Sequence, residues 1–414
     1  MSTLGNRIRT LRKQQKMTLE ALAGTELTKG MLSLIENNKA NPSMESLHYI
    51  ANRLNIDVTE LLGEVSGQEI REVLEKAEML FNTPFYEVTD EYQQLIDLIA
   101  PYVPKLTQGY EAARLLEIYS RCLIENKIEN SEALLNRAAT MYEQMNLTAK
   151  RGEIGMFYAT IEFKKHNYQG ALNTLLRERA QLEENPLWID PLSRLDYDYL
   201  ESALFFAVGD YEKAILVMDK AIEYSNTNKI FNKVDNLYRL AIAHAMMSEN
   251  EQKMDMYIKK LTAYSEFTDD QDSIRFTLYA KIHYLNSFRK DFTEANHLYN
   301  TLALEFANEE LTNIKSSKHF QIERGKTLYG LQQFVDAIEL LKDITVPEYL
   351  HHPIDLSLFY EKDAYLALCY MEINEKEKAL EVAEKAVKNI SVMPSTPYKV
   401  FIEEIYEQVK SRFS

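Results

Sequence analysis

Residues 17–39 read Met17-Thr18-Leu19-Glu20-Ala21-Leu22-Ala23-Gly24-Thr25-Glu26-Leu27-Thr28-Lys29-Gly30-Met31-Leu32-Ser33-Leu34-Ile35-Glu36-Asn37-Asn38-Lys39. Apolar residues recur at helical spacing in both halves: Leu19, Leu22 and Ala23 first, then Leu32 and Ile35, with Leu27 between them. Gly24 stands where the first run must stop, and glycine takes φ > 0 without steric cost. Thr28 precedes the second run and can cap its free N–H groups. The pattern predicts two short helices joined by a tight turn. The second helix turns Lys29, Met31 and Ser33 outward, with Leu34 at the margin.

The flanks extend this reading. Before it, Ile8, Leu11 and the aliphatic stem of Arg12 form one face of a helix from about Leu4 to Lys16. After it, Asn41-Pro42-Ser43 is a helix-start signal for the amphipathic run Met44 to Leu54. Asp57 then caps a short helix from Val58 to Leu62. Helices with one apolar stripe each can bury a small common core. An outward helix of this kind fits a DNA major groove.

The chain has 414 residues, too many for one ordinary core, and a formal net charge of −16. The charge is uneven. Residues 1–64 carry a net +1 and the remainder −17, and the first sixteen residues hold five cations and no acids. DNA binding rests on cations meeting phosphates, so a weakly basic head on an acidic body implies that paired heads are needed. The two cysteines, Cys122 and Cys369, fall within apolar helical patterns and read as buried core residues rather than a disulfide or metal site. The N-terminus enters the first helix almost at once, which leaves no room for a signal peptide. No apolar run approaches the ~18–20 residues that span a bilayer. The expected compartment is the cytoplasm.

Beyond residue 110 a short motif recurs: a turn, an aromatic residue, two further residues, then Ala. Its forms are Asn167-Tyr168-Gln169-Gly170-Ala171, Asp210-Tyr211-Glu212-Lys213-Ala214, Asp291-Phe292-Thr293-Glu294-Ala295 and Gln333-Phe334-Val335-Asp336-Ala337. Weaker copies end at Ala133, near Met254 and at Ala379, and successive spacings are 38, 43, 40, 41, 42 and 42 residues. A small residue precedes the motif alanine by twelve positions in the better copies (Ala159, Ser202, Gly325, Ala367), and Phe205, Leu328 and Tyr370 follow three further on. Small-then-large on one helix against aromatic–Ala on the next lets two antiparallel helices pack closely. A coiled coil is excluded because no heptad runs past the turn at each period.

Enzyme signatures resolve into decoys. Arg324-Gly325-Lys326-Thr327 has the end of a phosphate-binding loop, but the required earlier glycine position is Phe320. Gly325 reads instead as a close-packing residue of a repeat helix. His351-His352 has no carboxylate or Cys at metal spacing and reads as an exposed loop between repeats. Asn226–Asn228 reads as a turn. No catalytic residue, cofactor or metal is expected. Counting back from each motif alanine places Asn236 and Arg239 on an inner face, with Asn232 a turn earlier, and elsewhere Tyr199, Tyr284 and Lys326. Asn and Arg are side chains that can grip a peptide backbone or a terminal carboxylate.

Residues 5–62 resemble the Xre/Cro/lambda-repressor family of helix-turn-helix domains. The resemblance is carried by Gly5, Arg7-Ile8-Arg9, Leu11-Arg12, Thr18, Leu22-Ala23, Ser33, Ile35-Glu36, Asn41-Pro42-Ser43, Leu47, Ile50-Ala51, Leu54 and Leu61-Leu62. The family usually has Gln where this chain has Leu19. The repeats are similar to lengthened, degenerate tetratricopeptide repeats. That implies an all-α chain, a head followed by a right-handed superhelix whose concave face is lined by the first helix of each pair. The combination resembles the peptide-pheromone regulators of Gram-positive bacteria, the Rgg, Rap, NprR, PlcR and PrgX group, with NprR- and PlcR-like members nearest. The resemblance implies a cytoplasmic homodimer, a double-stranded DNA operator and a short signalling peptide bound in the superhelix, as in quorum sensing. Rap- and PlcR-like proteins hold the peptide backbone with a row of Asn, and the equivalent register here gives Leu200, Arg239, Glu323 and Tyr365.

The expected division is 1–64 for DNA, 65–110 as linker helix and cap (with a hinge at Ser66-Gly67 and breaks at Pro84, Pro101 and Pro104), and 111–414 for peptide binding and dimerisation. Lys29, Met31 and Ser33 would face base edges. Thr28, Asn37, Asn38 and Lys39 would meet phosphates, and Arg7, Arg9, Arg12 and Lys13 would add long-range attraction. Two alternatives stand beside this reading. One is a Rap-like protein that sequesters a response regulator through its repeats. The other is a phage-type repressor that answers no peptide.

Overall fold

The computed structural model describes residues 3–62, 67–83, 88–128, 131–184, 189–305 and 314–413. The described residues are helical and contain no strand. Ser66 and Pro84 lie outside the described residues. The helices are α1 (Leu4–Gln14), α2 (Leu19–Ala23), α3 (Lys29–Glu36), α4 (Met44–Arg53), α5 (Val58–Leu62), α6 (Gly67–Phe81), α7 (Glu91–Ile99), α8 (Tyr110–Glu125), α9 (Ser131–Gln144), α10 (Thr148–Lys164) and α11 (Tyr168–Glu183). They continue as α12 (Pro191–Val208), α13 (Tyr211–Asn228), α14 (Val234–Met247), α15 (Glu251–Thr268), α16 (Gln271–Tyr284), α17 (Phe292–Glu305), α18 (Lys318–Gly330), α19 (Phe334–Leu341), α20 (Pro353–Glu372), α21 (Lys376–Ile390) and α22 (Pro397–Phe413). The chain forms two compact units, residues 1–154 and 155–414.

In the first unit, α1–α5 enclose their own core, with Ile8, Leu22, Leu32, Ile50 and Leu54 fully buried. The helix starts follow the caps in the sequence. Thr18, Thr28 and Ser43 accept N–H bonds from Ala21, Met31 and Ser46 at 3.0, 3.1 and 3.2 Å. Gly24 ends α2 at φ +56°. Gly5 serves packing rather than a turn. A Cβ there would collide with the carbonyl oxygens of Ile35 and Glu36, so its absence lets α1 approach the end of α3. In α6–α9, Arg114 forks onto Glu78 at 2.7 and 3.0 Å, and Tyr142 donates to Glu117 at 2.8 Å. Ala133 is exposed, while Ser131 and Leu135 are buried, so the weakest repeat copy is shifted from the expected register.

In the second unit, antiparallel helix pairs follow one another in sequence. The motif positions Ala171, Ala214, Met254, Ala295, Ala337 and Ala379 are all buried. Ser202, twelve residues before Ala214, donates to the Ala214 carbonyl at 2.9 Å and so stitches α12 to α13. Gly325 faces Leu341 of α19 with no room for a Cβ, so the glycine of the decoy loop is a packing residue. The pairs turn through one left-handed residue, and in several of them a side-chain cap follows. His166, Glu249 and Lys290 have φ of +59°, +50° and +52°, and then Asn167, Asn250 and Asp291 accept N–H bonds three residues on. α13 runs on through Asn228, and the turn expected at Asn226–Asn228 falls at Lys229, φ +57°.

The motif tyrosines reach far along the chain. Tyr168 donates to the His351 carbonyl at 2.8 Å and Tyr211 to the Ser395 carbonyl at 2.7 Å. His352 Nε2 meets the Ala203 carbonyl at 3.0 Å, and its Nδ1 caps α20 by accepting from the Ile354 N–H. His351 and His352 are therefore half-buried ties and not the exposed loop that the sequence suggested. Cys122 and Cys369 are buried, and burial pushes both thiols up to about 12. No described helix is long and apolar enough to cross a membrane.

Candidate nucleic-acid interface and ligand groove

α3 turns its Leu32–Ile35 edge inward and leaves the opposite edge open. Met31 and Leu34 are 43% and 45% exposed. Lys29, Thr28, Asn37 and Lys39 are also exposed, and Ser33 is half-buried. Lys29 Nζ lies 2.5 Å from Glu20 Oε1 on α2, and this pair holds the Glu20 carboxyl below its usual range. Asn37 donates to the Ser33 carbonyl at 2.7 Å and closes the end of α3. The outward side thus offers one cation, two apolar side chains and small polar groups. Major-groove edges can be met by such a set, with apolar contacts suited to thymine methyls.

Three residues expected to serve DNA, Asn38 at a phosphate and Arg7 and Arg12 by long-range attraction, are spent inside the fold. Arg12 is buried and forks onto Glu36, Nε to Oε1 at 2.6 Å and Nη2 to Oε2 at 2.8 Å, while Nη1 donates to the Met17 carbonyl at 2.8 Å. Its hydrogen bond to Glu36 raises the guanidinium pKa further. A buried carboxylate needs this fork, so Arg12 fastens α1 to α3 and does not face solvent. Arg7 donates Nε to the Leu61 carbonyl at 3.2 Å and Nη2 to the Leu62 carbonyl, which ties α1 to the end of α5. Asn38, at φ +56°, accepts from the Gly5 N–H at 3.1 Å and donates to Thr3 Oγ1 at 2.8 Å. Its amide organises the start of α1.

The second unit holds a groove with a cavity of about 670 Å³, within the ~300–1,000 Å³ range of ligand clefts. The first helices of successive pairs line it. α14 gives Asp235, Asn236 and Arg239, α16 gives Asp272, Arg275, Phe276 and Tyr279, and Asp270 precedes α16. His319 and Phe320 come from α18, Ile354, Asp355 and Leu358 from α20, and Tyr398 from α22. Arg239 lies over the Phe276 ring at 5.2 Å and donates Nη2 to Ser273 Oγ at 3.0 Å. Its Nε is buried without a hydrogen-bond partner among the described residues. Burial lowers the His319 pKa, which keeps that imidazole neutral.

The structure brings together Asn236 and Arg239 from the expected inner face. Tyr199 is half-buried beside them, its phenol pushed up to about 12 by burial and by the carboxylates of Asp355 and Asp235. Asn232 is exposed outside the groove lining and donates to Asp196 at 3.0 Å. Tyr284 is 4% exposed and stacks on Phe288 at 5.7 Å, a core position. Lys326 is fully buried, held by Glu323 at 2.9 Å and Glu361 at 2.6 Å. Its two carboxylates neutralise it, which is how an ammonium can occupy the interior. Glu323 and Tyr365 of the expected ligand row are buried in the same network. Sequence counting missed Asp355, Phe276 and Tyr398, because each helix turns only one edge into the groove and the register drifts from repeat to repeat.

Residues 5–66 match the helix-turn-helix domain family. Over 63 residues the chain is 38% identical to the immunity repressor protein of Bacillus phage phi105, a stretch that is 15% of this chain and 44% of the repressor. The chain thus spans less than half the length of that relative. Among solved structures, the chain is similar to Bacillus thuringiensis PlcR in complex with the peptide PapR7 and DNA, at 17% identity and a TM-score of 0.36, over 65% of this chain and 96% of that one. It is also similar to ComR from S. thermophilus in complex with DNA and its signalling peptide ComS, at 20% identity and a TM-score of 0.31, over 65% of this chain and 95% of that one. The helix-turn-helix domain accounts for α1–α5, and α3 is its outward second helix.

Proposed function

We propose that this chain is a cytoplasmic, non-enzymatic transcriptional regulator that reads a double-stranded DNA operator and is switched by a short signalling peptide. Residues 1–64 read DNA, 65–110 link and cap, and 111–414 bind peptide and pair two copies. The observation that carries the reading is the open edge of α3, with Lys29, Met31 and Leu34 exposed on a helix whose other edge is fixed in a core. Arg7 and Arg12 are spent internally, so a single head has few cations left for phosphates. That favours a homodimer with two heads on two half-sites. The groove supplies an apolar wall beside polar hooks, the chemistry of a peptide site.

Duplexes selected from a random pool by the full chain test the reading. A selected duplex should outcompete random DNA, and a peptide that binds the groove should change that affinity. No preference for any duplex would overturn it. The likeness of the head to a phage immunity repressor favours a second reading, a repressor that answers no peptide. Under that reading the selected duplex binds equally with and without every peptide. Deletion of residues 1–64 separates both from a sequestering protein, which would retain its partner without the head.

A further inference from the structure

We infer that the groove accepts an oligopeptide carrying a positive charge, from a lysine or arginine side chain or a free N-terminal amine, next to at least one large apolar side chain. This rests on the peptide reading above and names the chemistry that such a peptide must have.

The charge balance of the lining carries the inference. Asp235, Asp270, Asp272 and Asp355 face Arg239 and Arg275. Both arginines are already engaged by acids. Arg275 Nη2 lies 2.6 Å from Asp272 Oδ1, and Arg239 Nη2 lies 3.8 Å from Asp270 Oδ2 while it donates to Ser273. Asp235 and Asp355 form no ion pair among the described residues, and both are half-buried. Asp235 accepts only a long contact from Asn236, at 3.4 Å. His319 is held neutral by burial and supplies no counter-charge. A concave site with low-dielectric walls focuses such a field, so a cation is drawn in and an acidic ligand is turned away.

Two further observations place the rest of the ligand. Phe276, Phe320, Ile354 and Leu358 form the apolar part of the lining, beside the two open aspartates. Arg239, whose side chain is 27% exposed in the same lining, can donate from its guanidinium to a ligand backbone carbonyl. Cation, apolar side chain and carbonyl are three features that one short peptide carries together.

The test uses the full chain and synthetic heptapeptide pools in which one position is fixed as Lys, Gln or Glu and the others are mixed. Each pool is made with a free and with an acetylated N-terminus. Lys pools should raise the melting temperature at concentrations about tenfold below matched Glu pools, the effect of one favourable charge contact. Asp355→Asn and Asp235→Asn should erase the Lys preference while Gln pools bind as before. A preference that survives acetylation assigns the charge to a side chain, and one that disappears with it assigns it to the terminal amine. Glu or Gln pools binding as well as Lys pools would overturn the charge inference and leave the peptide reading standing. Failure of every pool would overturn both. If a substituted chain misfolds, the comparison of pools on the parent chain decides alone.

Discussion

Lys326 Nζ lies 2.6 Å from Glu361 Oε2, and neither side chain reaches solvent. The pair is the middle of a buried chain of polar groups. Lys326 also meets Glu323 at 2.9 Å, Glu323 meets His283 Nδ1 at 2.8 Å, and His283 Nε2 meets the Tyr398 hydroxyl at 2.9 Å. His283 thus bridges the Glu323 carboxylate through one ring nitrogen and the Tyr398 hydroxyl through the other. The far end of this chain, Tyr398, lines the groove. Removing one partner of a buried ion pair leaves an uncompensated charge, which costs about 3–5 kcal/mol. Lys326→Met should therefore lower the urea midpoint of the repeat unit at pH 7, and adding Glu361→Gln, which removes the carboxylate left without its cation, should recover much of the loss. Unchanged stability in Lys326→Met would refute the account.

The same network sets an acid limit. Burial alone would raise the Glu323 carboxyl, but Lys326 and His283 outweigh it and lower it to about 2. A depressed carboxyl stabilises the fold above its unfolded value of about 4.5 and loses that contribution as pH falls through the folded value. The parent chain should lose stability between about pH 5 and pH 2. Lys326→Met should close its deficit relative to the parent as pH falls from 7 to 4, because protonation relieves the stranded carboxylate. Urea midpoints measured across that range would show a constant deficit if the coupling were absent.

Two cations of the head call for opposite outcomes. Arg12→Ala leaves the buried Glu36 with the longer 3.7 Å contact to Arg9 in place of the fork, and should loosen α1–α3 at a cost of up to about 3–5 kcal/mol. Arg12→Lys should not rescue it, since an ammonium cannot form the fork. Lys29→Ala should leave the fold intact, weaken binding to a selected duplex and reduce the salt slope by about one. Amide exchange over residues 4–36 separates unfolding from lost contact. Full protection in Arg12→Ala would contradict the structural role given to that residue.

These outcomes also mark what was legible in the sequence. Local signals were: Thr18, Thr28 and Ser43 cap the helices that they precede, and Gly24 has the positive φ that its place required. Long-range closure was not. Arg12 resembles any solvent-facing cation until Glu36, 24 residues on, meets it. Lys326 needs Glu361, 35 residues away. The left-handed turn residues were hidden too, because His166, Glu249 and Lys290 carry side chains that accept a small local cost where glycine would have announced the turn. In the groove, the motif alanines fixed the helix pairs, but not which edge of each first helix faces inward.

Glu20 limits the head from the outside. Its carboxylate occupies Lys29, the one cation on the open edge of α3, and both side chains are 61% exposed. An incoming duplex must break this pair, and the carboxylate then lies close to the DNA. Glu20→Gln releases Lys29 and removes a repelling charge, so affinity for a selected duplex should rise about two- to tenfold at low salt and less at high salt. Weaker binding in Glu20→Gln would mean that the acid contacts the DNA directly, for example a cytosine amino group.

Tyr168 and Tyr211 offer the last test, on how the repeat unit is held. Their hydroxyls donate to the carbonyls of His351 and Ser395, across 183 and 184 residues of chain. Phe at either position keeps the ring, and Ala171 and Ala214 keep each hairpin packed. Only the tie is lost, at about 0.5–1.5 kcal/mol each. The two ties share no partner, so their costs should add. In Tyr168→Phe/Tyr211→Phe, amide exchange should quicken around residues 346–352 and 391–396 while α11 and α13 stay protected. Exchange that is unchanged in those two segments would mean that packing alone holds them, and the hydroxyls of the repeat motif would then need another explanation.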